Sequence, residues 1–119
     1  MTVATTCAAI PIALAVTSQA LAALAPLDCS TTKVVITNGE SSRAEQELHF
    51  YVDDSAKTIS FSDGTRLRVI RFDNAAISAE HDDIRYELNR VDNTLTYAGS
   101  TTVGNATVIT VGSGQCDHN

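Results

Sequence analysis

The sequence predicts an all-β fold: a small antiparallel up-and-down barrel or folded meander of about eight short strands, preceded by an N-terminal signal helix. From Asp53 onward, pairs of turn-forming residues such as Asp63-Gly64 and Asp92-Asn93 recur about every ten residues. The runs between them are rich in Val, Ile, Thr, Phe and Tyr, which favour strands. Several runs alternate apolar and polar residues, as in an antiparallel sheet with one face in the core and the other in water.

The first residues form a separate segment. No charged side chain precedes Asp28, and residues 8–16 are apolar. Small residues at the spacing that a signal peptidase reads follow at 20–25. The apolar run is shorter than the about 20 residues that a membrane span needs. We therefore expect residues 1–25 to be a secretory signal peptide, with an uncleaved anchor as the alternative. Residues 26–119 then form a single periplasmic or secreted domain.

Eight strands are expected in that domain. Alternation is clear in the second, where Leu48, Phe50 and Val52 share one face. Nothing after residue 27 keeps a helical period, although residues 41–46 could hold a short helical turn or a long or bulged start to the second strand. The predicted strands are Lys33–Thr37, Glu47–Val52, Lys57–Ser62, Arg66–Phe72, Ala76–Ala79, Ile84–Asn89, Thr94–Ala98 and Asn105–Val111.

The fourth predicted strand breaks its own alternation. Val69 and Phe72 fall on opposite parities, so a regular strand would leave Arg71 facing the core. One extra residue near Ile70 and Arg71 restores the register, which predicts a β-bulge. The bulge either bends the strand or aims Arg71 toward a site.

Strand parity predicts a disulfide between Cys29 and Cys116. Eight strands running alternately up and down begin and end at the same rim, and Cys7 lies in the predicted signal peptide. An oxidising compartment allows the remaining two thiols to pair. Closing so long a loop contributes on the order of 4–5 kcal/mol to stability. We expect the interior of so small a barrel to be filled by side chains.

The charge balance bears on the kind of partner. The chain has 8 Lys and Arg against 14 Asp and Glu, a net charge of −6 at pH 7. An acidic domain is unsuited to nucleic acid, whose phosphates require a basic face. It is compatible with a cationic protein partner or with a role of the charge in solubility alone, and the second is the more common explanation.

Candidate catalytic and metal-binding groups all fall in turns. Asp53-Asp54, Asp73-Asn74 and Asp92-Asn93 share one predicted rim, but no calcium-binding loop is present and these residue types favour turns for their own hydrogen bonds. His81-Asp82-Asp83 has no nucleophile linked to it by a motif, and we interpret it as a solvated turn. The sequence predicts no catalytic residue, no metal ligand and no cofactor.

The outward face of the second to fourth strands is the candidate partner-binding site. It contains His49 and Tyr51, and we expect Arg66 and Arg68 nearby. An exposed tyrosine beside arginines is typical of protein-contact patches. The alternative is a set of ordinary cross-strand ion pairs between Glu47 and these arginines.

Two resemblances extend this interpretation. Tyr86-x-x-Asn89-Arg90, a turn, a further strand and a final Gly112-x-Gly114-x-Cys116 resemble short uncharacterised secreted proteins of Gram-negative bacteria. That resemblance implies secretion and a terminal cysteine, and no activity. The architecture is also loosely similar to periplasmic inhibitors of C-type lysozyme. Their inhibitory loop is expected to carry Ser-Gly-x-x-Tyr, and Ser113-Gly114 has no such tyrosine after it, so no inhibitory residue is assigned.

The function expected from the sequence is therefore a secreted or periplasmic, non-enzymatic binding module whose partner is another protein, such as an inhibitor or an envelope-associated protein. A small-ligand carrier with a calycin-like cavity is the second hypothesis, and it requires a hollow interior. A small hydrolase is the third.

Overall fold

The computed structural model describes residues 24–118, and that part of the chain is entirely β-structure with no helix. All pairings between its strands are antiparallel, which confirms the predicted fold class. The predicted signal helix lies outside the described residues, although Leu24 and Ala25 belong to the first strand. The strands are β1 (Leu24–Thr37), β2 (Glu40–Asp53), β3 (Thr58–Phe61), β4 (Arg68–Phe72), β5 (Ala76–His81), β6 (Ile84–Asn89), β7 (Thr94–Val103) and β8 (Ala106–His118).

The sheet closes nearly into a barrel. The strand order is β3-β2-β1-β8-β7-β6-β5-β4, so the first and last strands pair in the middle of the sheet. The two edge strands are β3 and β4. The connection between them folds back, and the amide of Leu67 donates to the carbonyl of Ile59 at 3.0 Å. A bridge between Ser60 and Arg66 lies beside that bond. The edges of the sheet therefore meet along part of their length.

Five of the strands are longer than predicted, with 14 residues each in β1 and β2, 6 in β5, 10 in β7 and 13 in β8. The helical turn considered at residues 41–46 is wrong, because every residue there pairs with β1 without a bulge. The loop expected at residues 99–104 shrinks to Gly104-Asn105. These segments are rich in Ser, Thr and Gly, which resemble a loop in sequence, while two-residue hairpin turns keep both neighbouring strands extended.

Inward-facing residues of all eight strands or their flanks fill the barrel. Phe50 and Phe61 stack with their ring centroids 5.2 Å apart, and Tyr86 packs edge-on against both rings. Leu27 and Ile77 are among the most deeply buried side chains. Because the rings occupy the centre, the interior is a packed core of the kind expected for a small barrel.

The predicted bulge in β4 is confirmed. Val69 pairs with Ala79 and Arg71 pairs with Ser78, so Ile70 is the extra residue between them. As a result Val69 and Phe72 face the core while Arg71 faces outward. Ile70 is 43% exposed although it is apolar, because the bulge makes it the extra residue of the strand.

A glycine on β8 lets a tyrosine cross the interior. Gly112 lies opposite Tyr97 on β7, and a Cβ atom at Gly112 would lie 2.1 Å from the Tyr97 ring. The ring lies over the glycine and its hydroxyl reaches the Thr31 hydroxyl at 2.9 Å. Thr31 in turn donates to the carbonyl of Gln46 at 2.8 Å, so Tyr97 is the donor to Thr31. The Gly-x-Gly-x-Cys segment thus has a packing role in this fold.

The disulfide between Cys29 and Cys116 is present, as predicted. The two residues lie directly opposite each other on β1 and β8, with 3.9 Å between their Cα atoms and a sequence separation of 87. Both are buried. The bond links the first strand of the domain to the last.

The two long hairpins project from one rim. We call residues 33–44 and residues 98–112 the arm, which is a four-stranded sheet in the order β2-β1-β8-β7. No side chain in these two ranges is buried in the core. The β-ladder and the many Val, Ile and Thr residues hold the arm in its conformation.

Candidate functional site

The acidic turns use their carboxylates to hold their own backbone. Asp53 Oδ1 accepts from the amides of Ser55 and Ala56 at 3.1 and 3.0 Å, and Asp73 Oδ1 does the same for residues 75 and 76 at 2.8 and 2.9 Å. Asp63 and Asp92 each accept one amide two residues on. These contacts are the turn chemistry that the sequence predicts.

Hydrogen bonding lowers the pKa of these carboxyls. For Asp73 the Arg71 side chain is the largest cause, followed by the amides of Ala76 and Ala75, and the pKa falls from 3.8 to about 2. The amide of Ala56 is the largest cause of the lowered pKa of Asp53. Within residues 24–118 no three His, Cys, Asp or Glu side chains are grouped so that they could hold a metal ion.

Arg90 joins the loops of this rim, a role that the sequence did not indicate. Its Nη2 atom contacts the carboxylate of Asp54 at 2.8 Å, and its Nη1 atom donates to the carbonyl of Asp73 at 3.0 Å. The guanidinium also lies 5.3 Å from the centre of the Phe72 ring. In the Tyr-x-x-Asn-Arg segment, Tyr86 is therefore a core residue, and Arg90 binds the two turns that contain Asp54 and Asp73.

Asp82-Asp83 forms the turn between β5 and β6, as predicted, while His81 is the last residue of β5 and pairs with Ile84. Asp82 and Asp83 have φ values of 50° and 63°, which are the left-handed values of a two-residue hairpin turn. His81 contacts the Asp82 carboxylate at 3.2 Å and packs edge-on against Phe61. His81 is thus held by the turn and by the core ring of Phe61.

Acidic and aromatic side chains line the outer surface of the first two strands. We define the β1–β3 face as a set of outward residues that includes one residue of β3 and the arginine bridged to it: Asp28, Glu45, Glu47, His49, Tyr51, Ser60 and Arg66. His49 Nδ1 lies 2.7 Å from Asp28 Oδ1. Glu45 and Glu47 accept hydrogen bonds from Thr32 and Ser30 at 3.1 and 3.3 Å. Both glutamates are exposed on the strand.

Tyr51 and Arg66 lie in one outward row of this face. Tyr51 pairs with Ser60, and Ser60 bridges to Arg66. Tyr51 is 36% exposed and Arg66 is exposed. The row places an aromatic ring and a guanidinium two strands apart, as the sequence predicts.

Arg68, the fourth predicted residue, is exposed and its charge is paired on the neighbouring strand. It forms an ion pair with Glu80 on β5, and it is not linked to Glu47, whose partner is Ser30. The cross-strand pairs expected between Glu47 and the arginines are absent from the described residues. The reason is that β3 pairs with β2 only from Phe50 onward and does not reach Glu47.

A polar groove of about 490 Å³ lies on the opposite side of the barrel, on the outer face of β4 to β7. Arg71 is at one side of it, with Ser78, Glu87, Thr94 and Thr96 along its floor. Arg71 donates to Asp73 at 2.7 Å, so its charge is already paired. The bulge therefore directs Arg71 to a groove that offers hydroxyl groups and little net charge.

The core leaves almost no free space. A cavity lined by Leu27, Phe50, Tyr86 and their neighbours measures about 10 Å³. This volume is at the lower limit for a single water molecule, and ligand pockets are typically about 300–1,000 Å³.

Comparisons of this chain with protein-family models, with curated proteins and with solved structures found no match. Over residues 24–118 there is no helix of the length and apolarity that crossing a membrane requires.

Proposed function

We propose that this protein is an exported, non-enzymatic binding module that captures a cationic protein through the β1–β3 face. The observation that carries the proposal is the grouping of Asp28, Glu45 and Glu47 with the exposed ring of Tyr51 on one continuous outward surface. Carboxylates attract a basic partner, and a rigid tyrosine supplies contact area at little entropic cost.

Two features support a surface site over an interior one. The core cavity of about 10 Å³ has no room for a small-molecule ligand, which disfavours a calycin-like carrier. The acidic turns that resemble catalytic or metal-binding groups are engaged with their own backbone amides, which disfavours a hydrolase. The buried disulfide is compatible with export to an oxidising compartment.

The test is binding of the purified protein to C-type lysozyme and to the basic proteins of a periplasmic extract. We expect binding that weakens as salt rises from 50 to 300 mM, because exposed charges are screened. The triple variant Glu45→Gln, Glu47→Gln, Tyr51→Ala should weaken binding at least about tenfold while keeping the wild-type melting temperature.

The matched control is Asp82→Asn with Asp83→Asn. It removes the same number of negative charges, two, but at a distant turn. This variant should bind as the wild type does. Equal losses in both variants would reduce the effect to net charge, and the absence of any basic partner would refute the proposal. Arg66→Ala and His49→Ala then test whether the other two predicted residues of this face contribute.

A further inference from the structure

We infer that the protein self-associates weakly through the free edge of β7 in the arm, forming a two-fold symmetric pair whose arms join into one sheet. This inference goes beyond the proposed function and uses a different surface. β6 begins at Ile84, which lies opposite Gly99, whereas β7 continues past this point to Val103. Among residues 24–118, no strand pairs with the outer side of β7 from Ser100 to Val103.

This edge lacks the features that normally prevent edge-to-edge pairing. Natural edge strands are protected by charged side chains, proline or bulges. Residues 100–103 are Ser, Thr, Thr and Val, and they pair with β8 in regular register. The opposite edge of the arm, on β2, carries the charged residues Glu40 and Arg43 and is therefore protected.

The distribution of charge favours a second copy over a cationic partner. Residues 93–116 contain no charged side chain, although the chain as a whole has a net charge of −6. Two acidic copies can approach each other along the β7–β8 hairpin without placing carboxylates face to face. The same hairpin offers no anion to a basic protein, so it is distinct from the β1–β3 face.

Geometry selects one register for the pair. An antiparallel pairing centred on Thr102 sets Thr102 against its own copy and Val103 against Thr101 of the second copy. The chain of the second copy then turns away at Gly104, before it would meet the end of β6. A register shifted toward Gly99 collides with Asp83 and Ile84, because the space beside Gly99 is already filled.

The pairing completes an apolar strip on the inner face of the arm. Thr101 has Val108 beside it, and Val103, which is 65% exposed, has Ala106 beside it. In the joined sheet Val103 packs against Thr101 of the second copy. The contact spans only about five residues per chain, so we expect a weak dimer with a dissociation constant of roughly 10 µM to 1 mM.

Sedimentation velocity over a concentration series from 10 µM to 1 mM tests the inference. The wild type should shift toward a dimer as its concentration rises. Thr102→Lys should abolish the shift, because two lysines face each other across the axis. Mixing Thr102→Lys with Thr102→Glu should restore a heterodimer, which only a two-fold contact at this residue predicts.

Ser41→Lys is the control, since Ser41 is an exposed outward residue at the same distance from the other hairpin turn. It should associate as the wild type does. A wild type that stays monomeric at 1 mM, a Thr102→Lys variant that still dimerises, or a failure of the mixed variants to pair would each overturn the inference. Unchanged lysozyme binding by a folded Thr102→Lys variant keeps this outcome separate from that of the proposed function.

Discussion

At the scale of single residues, the turn aspartates Asp53, Asp63, Asp73 and Asp92 accept hydrogen bonds from the backbone amides of their own loops. Asp53 and Asp73 each hold two backbone amides, and Asp73 also accepts from Arg71. Such contacts favour the charged carboxylate over the protonated form and so tie stability to pH. The rim that contains Asp53 and Asp73 resembles a cation site in sequence. In the structure, these carboxylates instead accept hydrogen bonds from the amides of their own turns.

Asp73 gives a prediction for acid unfolding. Its pKa is about 2 in the folded protein and ordinarily 3.8, so its contribution to stability is complete above pH 4 and is lost as the pH falls toward 2. Asp73→Asn keeps an oxygen acceptor for the amides and removes the charge. In urea unfolding monitored by circular dichroism, the wild type should be more stable than the variant at pH 6, and this difference should shrink between pH 4 and 2. A constant difference across that range would contradict the assignment.

The rim also shows a limit of prediction at the residue scale. The turn positions could be predicted because Asp, Asn and Gly have local backbone preferences. The role of Arg90 could not, since Asp54 and Asp73 lie 36 and 17 residues away and only the closed barrel brings them to its guanidinium. Tyr51 and Arg66 were predicted together because alternation fixes the outward face of each strand, and strand order then brings them close.

At the scale of elements, the predictable strands are those with one buried face. β6 has the predicted bounds because Tyr86 and Leu88 alternate with Arg85 and Glu87. The bulge in β4 was predictable because a regular strand would have buried Arg71. In the arm, the segments 33–37 and 105–111 were predicted as strands, but residues 40–44 of β2 and 100–103 of β7 were not, since their side chains are exposed and do not alternate between apolar and polar. Pairing between strands distant in sequence sets its length.

The ring of Tyr97 on β7 packs over Gly112 on β8, and this contact predicts the effect of a substitution on stability. Gly112→Ala places a methyl group against the ring and should destabilise the fold by about 1–3 kcal/mol, because the ring and its bond to Thr31 must shift. Ser113→Ala, on the outward side of the same strand, is the control and should change stability by less than about 0.5 kcal/mol. Denaturant unfolding of both variants measures the difference. Equal stability of Gly112→Ala and the wild type would show that the ring does not need this space.

At the scale of the whole molecule, a small filled barrel is nearly closed, and its first strand pairs with its last. Strand parity alone places Cys29 and Cys116 at the same rim, and the register then sets them directly opposite each other. A domain of this size has a limited core, so a covalent link between its ends is a large part of its net stability. Because the core cavity measures only about 10 Å³, both proposed contacts are placed on outer surfaces, one on the β1–β3 face and one on the arm.

The most direct test of this closure is equilibrium urea unfolding of the same protein with the Cys29–Cys116 bond intact and after its reduction. The bond constrains a loop with a sequence separation of 87, so the oxidised protein should unfold in one cooperative transition and be more stable by about 4–5 kcal/mol. Coincident unfolding curves for the two forms would contradict the account, because the ends of the barrel would then be held without the bond.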